Sequence, residues 1–248
     1  MSTERLPAGL PEFKPHTRQA IVVNGYDTTF GPEVLPAIIK GLSRGSRRVY
    51  ELEGLLSGDI AAEQDGYVNG KTHKAVLQMF DEDVKAVRGA QRYRVSRVQA
   101  YDDQWNKIVR SIGNFEKASD TDTLTFFYIT SHGEQQSVLL NKNLVPYSYL
   151  LDEIDRLPGK KVLVMLACYS GSLLQVLEKR EEKENYIVLT STRSNERGVN
   201  WGEDDLQLEL YRHIYKTRKL SELTLAPSDK TGVDKHIPQI RGSFDVVL

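Results

Sequence analysis

Cys168 is the only cysteine of the chain, and it follows the apolar run KVLVMLA (161–167) directly, ahead of Tyr169, Ser170 and Gly171. A second run, TLTFFYIT (123–130), leads into Ser131, His132, Gly133 and Glu134. If the two runs are neighbouring parallel strands, His132 and Cys168 emerge on one edge of a sheet. A thiol beside an imidazole is a nucleophile with its proton partner. The imidazole, together with the start of a helix, would favour the thiolate. The backbone N–H groups of Gly133 and Cys168 are the natural donors for an oxyanion hole, and glycine at 133 lets a substrate approach. Taken singly, a cysteine closing a strand is usually a small hydrophobe, and a histidine after a strand is usually a surface or cap residue. Joint placement argues for chemistry. His16, His73, His213 and His236 follow no comparable strand.

The elements that must position this pair are legible as periodicity. AIVV (20–23) and YIVLTST (186–192) read as further buried strands, and RRVYELE (47–53) and YRVSRVQAY (93–101) alternate as half-buried ones. Helices are expected over 32–42, 71–88, 102–115, 147–157, 172–184 and 205–220. Strands buried on both faces and alternating with helices imply a mostly parallel sheet between helix layers, with reactive groups at the carboxyl ends of its strands. Residues 1–18 carry three prolines and read as a loose arm, and 19–248 as a single domain.

Composition narrows the classes. With 40% hydrophobic and 27% charged residues the 248-residue chain can bury a sizeable core. A net charge of −1 gives no reason to expect a nucleic-acid or membrane surface. No signal-like segment or spanning run is present, and a single thiol needs no oxidising compartment, so a cytoplasmic protein is expected. DGYVNGKT (65–72) has three residues between its first glycine and Gly-Lys-Thr where a phosphate loop needs four, and reads as a turn. No Cys/His spacing suits zinc and HExxH is absent, so no metal or cofactor is implied.

The blocks YITSHGE, LVMLACYSGSLL and YIVLTSTRSNERG, in that order, resemble the cysteine peptidases of the caspase-like clan, most closely the legumain (haemoglobinase) family and its small bacterial relatives. The closing HIPQIRGSFDVVL is similar to the last strand of the metacaspase branch. The resemblance implies an α/β three-layer sandwich with a mostly parallel sheet of about six strands. It also implies a cysteine endopeptidase with Cys168 as nucleophile, His132 as acid and base, and a peptide or protein as substrate.

By the same resemblance the first substrate pocket draws on Asn24–Phe30, including Tyr26, on Leu166, and on Ser191 to Asp205, including Thr192. No arginine occurs from Asn24 to Ser43, which speaks against a caspase-like preference for aspartate. Asp205 would favour Asn, Lys or Arg, and it is equally a carboxylate at a helix N-terminus. EKREEKEN (178–185) lies where some relatives are cut on activation, by themselves or with a partner, and is equally a solvated helix face. Two rival readings are a catalytically silent scaffold of the same fold and a transamidase or ligase using the same dyad.

Overall fold

The computed structural model describes residues 4–24, 92–98, 103–140, 143–197, 219–225 and 237–246. The elements are β1 (Thr17–Asn24), β2 (Arg92–Val98), α1 (Gln104–Glu116), β3 (Thr123–Thr130), β4 (Gly133–Glu134), β5 (Ser137–Leu140), β6 (Asn143–Pro146), α2 (Tyr147–Asp155), β7 (Lys160–Leu166), α3 (Ser172–Leu177), β8 (Tyr186–Thr190) and β9 (Gln239–Gly242). The helices expected at 32–42 and 71–88, the strand at 47–53 and nearly all of 205–220 lie outside the described residues.

Six strands form one sheet in the order β2-β1-β3-β7-β8-β9. The first five run parallel and β9 is antiparallel to β8. Central strands of such a sheet lose both faces to the interior, which is why TLTFFYIT and KKVLVML carry unbroken apolar runs. On one face Phe127, Ile129, Leu163, Met165 and Val188 pack with α1, α2 and α3. On the other, Ala20, Phe126, Tyr128, Val162, Val164 and Leu166 are equally buried. The sheet is therefore the middle layer of an α/β sandwich.

Helix α1 shows how the sequence selects its face. Ile108, Ile112 and Phe115 recur at helical spacing and are buried, and the Asp103 side chain caps the first turn. Helix α2 buries Tyr147, Leu150, Leu151 and Ile154, and the chain leaves it at Pro158-Gly159 to enter β7. Each such apolar side chain contributes about 1.5–3 kcal/mol on burial. Among the described residues no helix is long and apolar enough to cross a membrane.

Three features differ from expectation. The helix expected over 172–184 stops at Leu177. Arg180 turns extended, its guanidinium bridges Asp152 and Asp155 of α2, and a 3₁₀ turn follows over Glu181–Asn185. Residues 4–16 are docked rather than loose. Glu4 exchanges backbone hydrogen bonds with Leu225, Leu6 is buried, and Phe13 meets Phe244 edge-on at 6.0 Å. The third is a small antiparallel sheet, β4-β5-β6, between His132 and α2.

Candidate active site

Strands β3 and β7 are adjacent, parallel and in register, with Thr130 opposite Leu166. His132 and Cys168 are each two residues past that pair, on the carboxyl edge of the sheet. Ser131 N–H donates to the Leu166 carbonyl at 3.0 Å, extending the ladder to the last residue before His132. The imidazole is exposed and the thiol half-buried.

Gly133 fixes how closely the two segments approach. A Cβ built there would lie 2.5 Å from the Cys168 carbonyl oxygen and 3.0 Å from the Ala167 Cβ. Only glycine lets the chain after His132 rest on the backbone of Cys168. Leu139 N–H donates to the His132 carbonyl at 2.8 Å, and Gly133 pairs with Val138. Alternation along an antiparallel ladder directs the Gly133 N–H away from β5.

The hairpin that carries His132 and the turn that carries Cys168 are braced through Ser172. Its Oγ accepts from Gln136 N–H at 2.9 Å and donates to the Tyr169 carbonyl at 2.7 Å. Gln136 itself is held in the left-handed region, φ 61°, while its carbonyl accepts from Tyr147 N–H at 2.8 Å. A second brace joins the turn to the end of β8. Ser170 N–H donates to Thr192 Oγ1 at 3.0 Å, Thr192 N–H to Ser170 Oγ at 3.2 Å, and both Thr192 Oγ1 and Ser191 Oγ reach the Ala167 carbonyl. These hydroxyls are buried, so each bond counts for more than it would in water.

The turn after Cys168 is unusual. Tyr169 has φ 57°, a left-handed conformation rarely occupied by an aromatic residue. Its N–H donates to the Glu196 carbonyl at 2.7 Å, and its hydroxyl accepts from Arg197 Nε at 2.7 Å. That bond, and in smaller measure the nearby Cys168, holds the Arg197 guanidinium above its usual value. At Gly171 a Cβ would lie 2.7 Å from the Arg193 carbonyl carbon and Ser194 N, so the 193–194 backbone crosses directly over it.

Of the residues expected to line a substrate pocket, Leu166, Ser191 and Thr192 are buried. The two hydroxyls are engaged in the brace just described. Tyr26 and Asp205 lie outside the described residues. Tyr147, which sequence reasoning did not single out, starts α2 with a fully buried hydroxyl that has no hydrogen-bond partner among the described residues. Burial, and then the nearby Cys168, push its phenol well above the usual tyrosine range. No local signal marks it, because a tyrosine at an apolar helix position reads as core. Among the described residues no group of three or more His, Cys, Asp or Glu is arranged to hold a metal ion.

No protein-family model matches the sequence, and no curated protein does. The solved structure of caspase-1 from Spodoptera frugiperda matches with a TM-score of 0.50 and 13% identity, over 97% of this chain and 96% of that one. At that identity the likeness is one of fold: the chain has a caspase-like α/β architecture.

Proposed function

We propose that the chain is a cysteine endopeptidase, with Cys168 as nucleophile and His132 as general acid and base. The observation that carries this reading is the register of β3 and β7, which brings both residues to one sheet edge with Gly133 seated on the Cys168 carbonyl. The caspase-like fold supports it, and the Ala-Cys-x-Ser-Gly block favours a place nearer the legumain branch.

In this mechanism the thiolate attacks the scissile carbonyl carbon and forms a tetrahedral adduct. The negative charge on the carbonyl oxygen is met by the N–H groups of Gly133 and Cys168. The N–H groups of Tyr169 and Ser170 are already spent on the Glu196 carbonyl and on Thr192 Oγ1, which narrows the choice of donors. His132 passes a proton to the leaving amine as the C–N bond breaks. Water, relieved of a proton by His132, then attacks the thioester and frees the acid and the thiol. We assign asparagine or a basic residue before the cut, read by Asp205, with Leu166, Ser191 and Thr192 as the other pocket residues that the resemblance implies. A lone thiol that must stay reduced fits a cytoplasmic setting.

The test is turnover of a peptide substrate by the wild type, Cys168→Ala and His132→Ala, with product masses recorded with and without an added amine. Loss of turnover in both variants with melting temperatures retained supports the reading. Substantial turnover surviving in Cys168→Ala removes it. Amide products formed with the added amine would turn hydrolysis into transamidation by the same pair.

A further inference from the structure

Tyr169 sits one residue past Cys168 in a conformation that a bulky side chain keeps only when its surroundings over-determine it. Four hydrogen bonds do so. Ser172 N–H and Oγ donate to the Tyr169 carbonyl at 3.0 and 2.7 Å, Tyr169 N–H donates to the Glu196 carbonyl at 2.7 Å, and Arg197 Nε donates to the Tyr169 hydroxyl at 2.7 Å. Two of the four come from consecutive residues, Glu196 and Arg197. That segment is itself anchored. The Glu196 carboxylate accepts from Arg193 N–H at 3.0 Å and from Ile237 N–H at 3.2 Å, where the chain approaches β9. The 193–194 backbone is also seated on Gly171.

We infer that residues 193–197 form a strap that sets the direction of the Cys168 thiol, with Arg197 and Tyr169 as positioning residues. The inference rests on the reading of Cys168 as a nucleophile. Rotation of Tyr169 out of the left-handed region would swing the peptide joining it to Cys168, and the strap blocks that rotation from both the backbone and the side chain. Ser172 alone holds only the carbonyl side of Tyr169. The strap also runs from this turn to the residues before β9, so a displacement at Ile237 would be felt at Cys168 through Glu196.

Because the chain has one cysteine, alkylation by iodoacetamide reads this thiol alone, whether or not the protein cuts peptides. The variants are Tyr169→Phe, Arg197→Met, the double variant and Arg197→Lys. The first two should each slow alkylation about two- to fivefold, the scale of one lost solvent-exposed hydrogen bond to a charged group. The double variant should be no slower than either single one, since the same bond is lost. Arg197→Lys should recover part of the rate. In peptide turnover the same variants should lower kcat and leave KM unchanged. Tyr169→Gly, which accepts the left-handed turn but loses the side-chain tie to Arg197, should fold normally and still alkylate slowly.

Unchanged alkylation in both single variants, or losses that multiply in the double variant, would overturn the inference. A raised KM with kcat intact would make Arg197 a substrate contact instead. If the wild type cuts no peptide while the alkylation pattern holds, the peptidase reading falls and the strap stands.

Discussion

Replacing Gly133 by alanine introduces one methyl group at the closest approach between the His132 segment and the Cys168 turn. The new Cβ would lie 2.5 Å from the Cys168 carbonyl oxygen, 3.0 Å from the Ala167 Cβ and 3.3 Å from the Ser137 carbonyl oxygen. Two of these three neighbours are backbone, and Ala167 is fully buried, so no flexible side chain can move aside. The Cys168 carbonyl must retreat by about half an ångström or more before the contact is tolerable. Overpacking of this kind costs about 1–3 kcal/mol. For a chain of this size that lowers the melting temperature by about 2–4 °C per kcal/mol. The displacement falls on the backbone of the candidate nucleophile, and a 1 Å misplacement there costs on the order of a hundredfold in rate. A shift of half that size should lower peptide turnover, or Cys168 alkylation, by about tenfold. Gly113→Ala is the matched control. It lies within α1, and its nearest outside atom is Arg156 Nη2 at 3.8 Å. It should gain about 0.5–1 kcal/mol from helix propensity. A Gly133→Ala protein that melts and reacts like the wild type would refute the close approach on which the site is built.

Three other perturbations address the supports of the site. Thr192→Val keeps the shape but takes one partner from the Ser170 N–H, which keeps the Ala167 carbonyl, and one from the Ala167 carbonyl, which keeps Ser191 Oγ, so stability should fall by about 0.5–1.5 kcal/mol in urea unfolding. An unchanged midpoint would remove the brace. Tyr147→Phe deletes a buried hydroxyl that has no partner among the described residues and should raise the melting temperature; a fall would show that the hydroxyl is satisfied. Tyr186→Phe tests the far end of the sheet. Burial first, then the charge and hydrogen bond of Asp155, raise the folded-state Tyr186 pKa far above its usual value. The unfolded chain therefore loses this proton first, so the contribution is intact below about pH 10 and is lost above it by up to about 1.4 kcal/mol per pH unit. Urea midpoints at pH 9 and 11 should drop further for the wild type than for Tyr186→Phe. Lys161, whose ammonium is disfavoured mainly by burial, contributes in the opposite sense and is common to both proteins.

The strands that carry the site were legible because a run such as TLTFFYIT is short and rich in β-branched and aromatic residues, which favours a buried strand over a helix. The structure pairs it on both sides, from Thr123 to Thr130 with β1 and from Leu124 to Thr130 with β7, as the sequence pattern predicts. The parallel pairing of those strands followed from the alternation of strands and helices, and with it the shared edge of His132 and Cys168. The small sheet was not legible. Strand β4 has two residues, and the turn that follows it, Gln135-Gln136, puts a glutamine in the left-handed region without the glycine or asparagine that usually marks such a turn. The brace between Ser170 and Thr192 joins residues 22 apart in sequence, so only the folded sheet brings them together. In 172–184, charge spacing imitated a helix surface, while the decisive interaction, Arg180 with Asp152 and Asp155, was long-range. The docking of Leu6 and Phe13 was hidden by the prolines around them.

The most direct measurement of the central claim exposes a diverse peptide mixture to the wild type and to Cys168→Ala, and reads the new termini by mass spectrometry. The account predicts cuts made by the wild type alone, concentrated after asparagine or basic residues. The same cuts from both proteins, or none from a wild type whose Cys168 is readily alkylated, would contradict it.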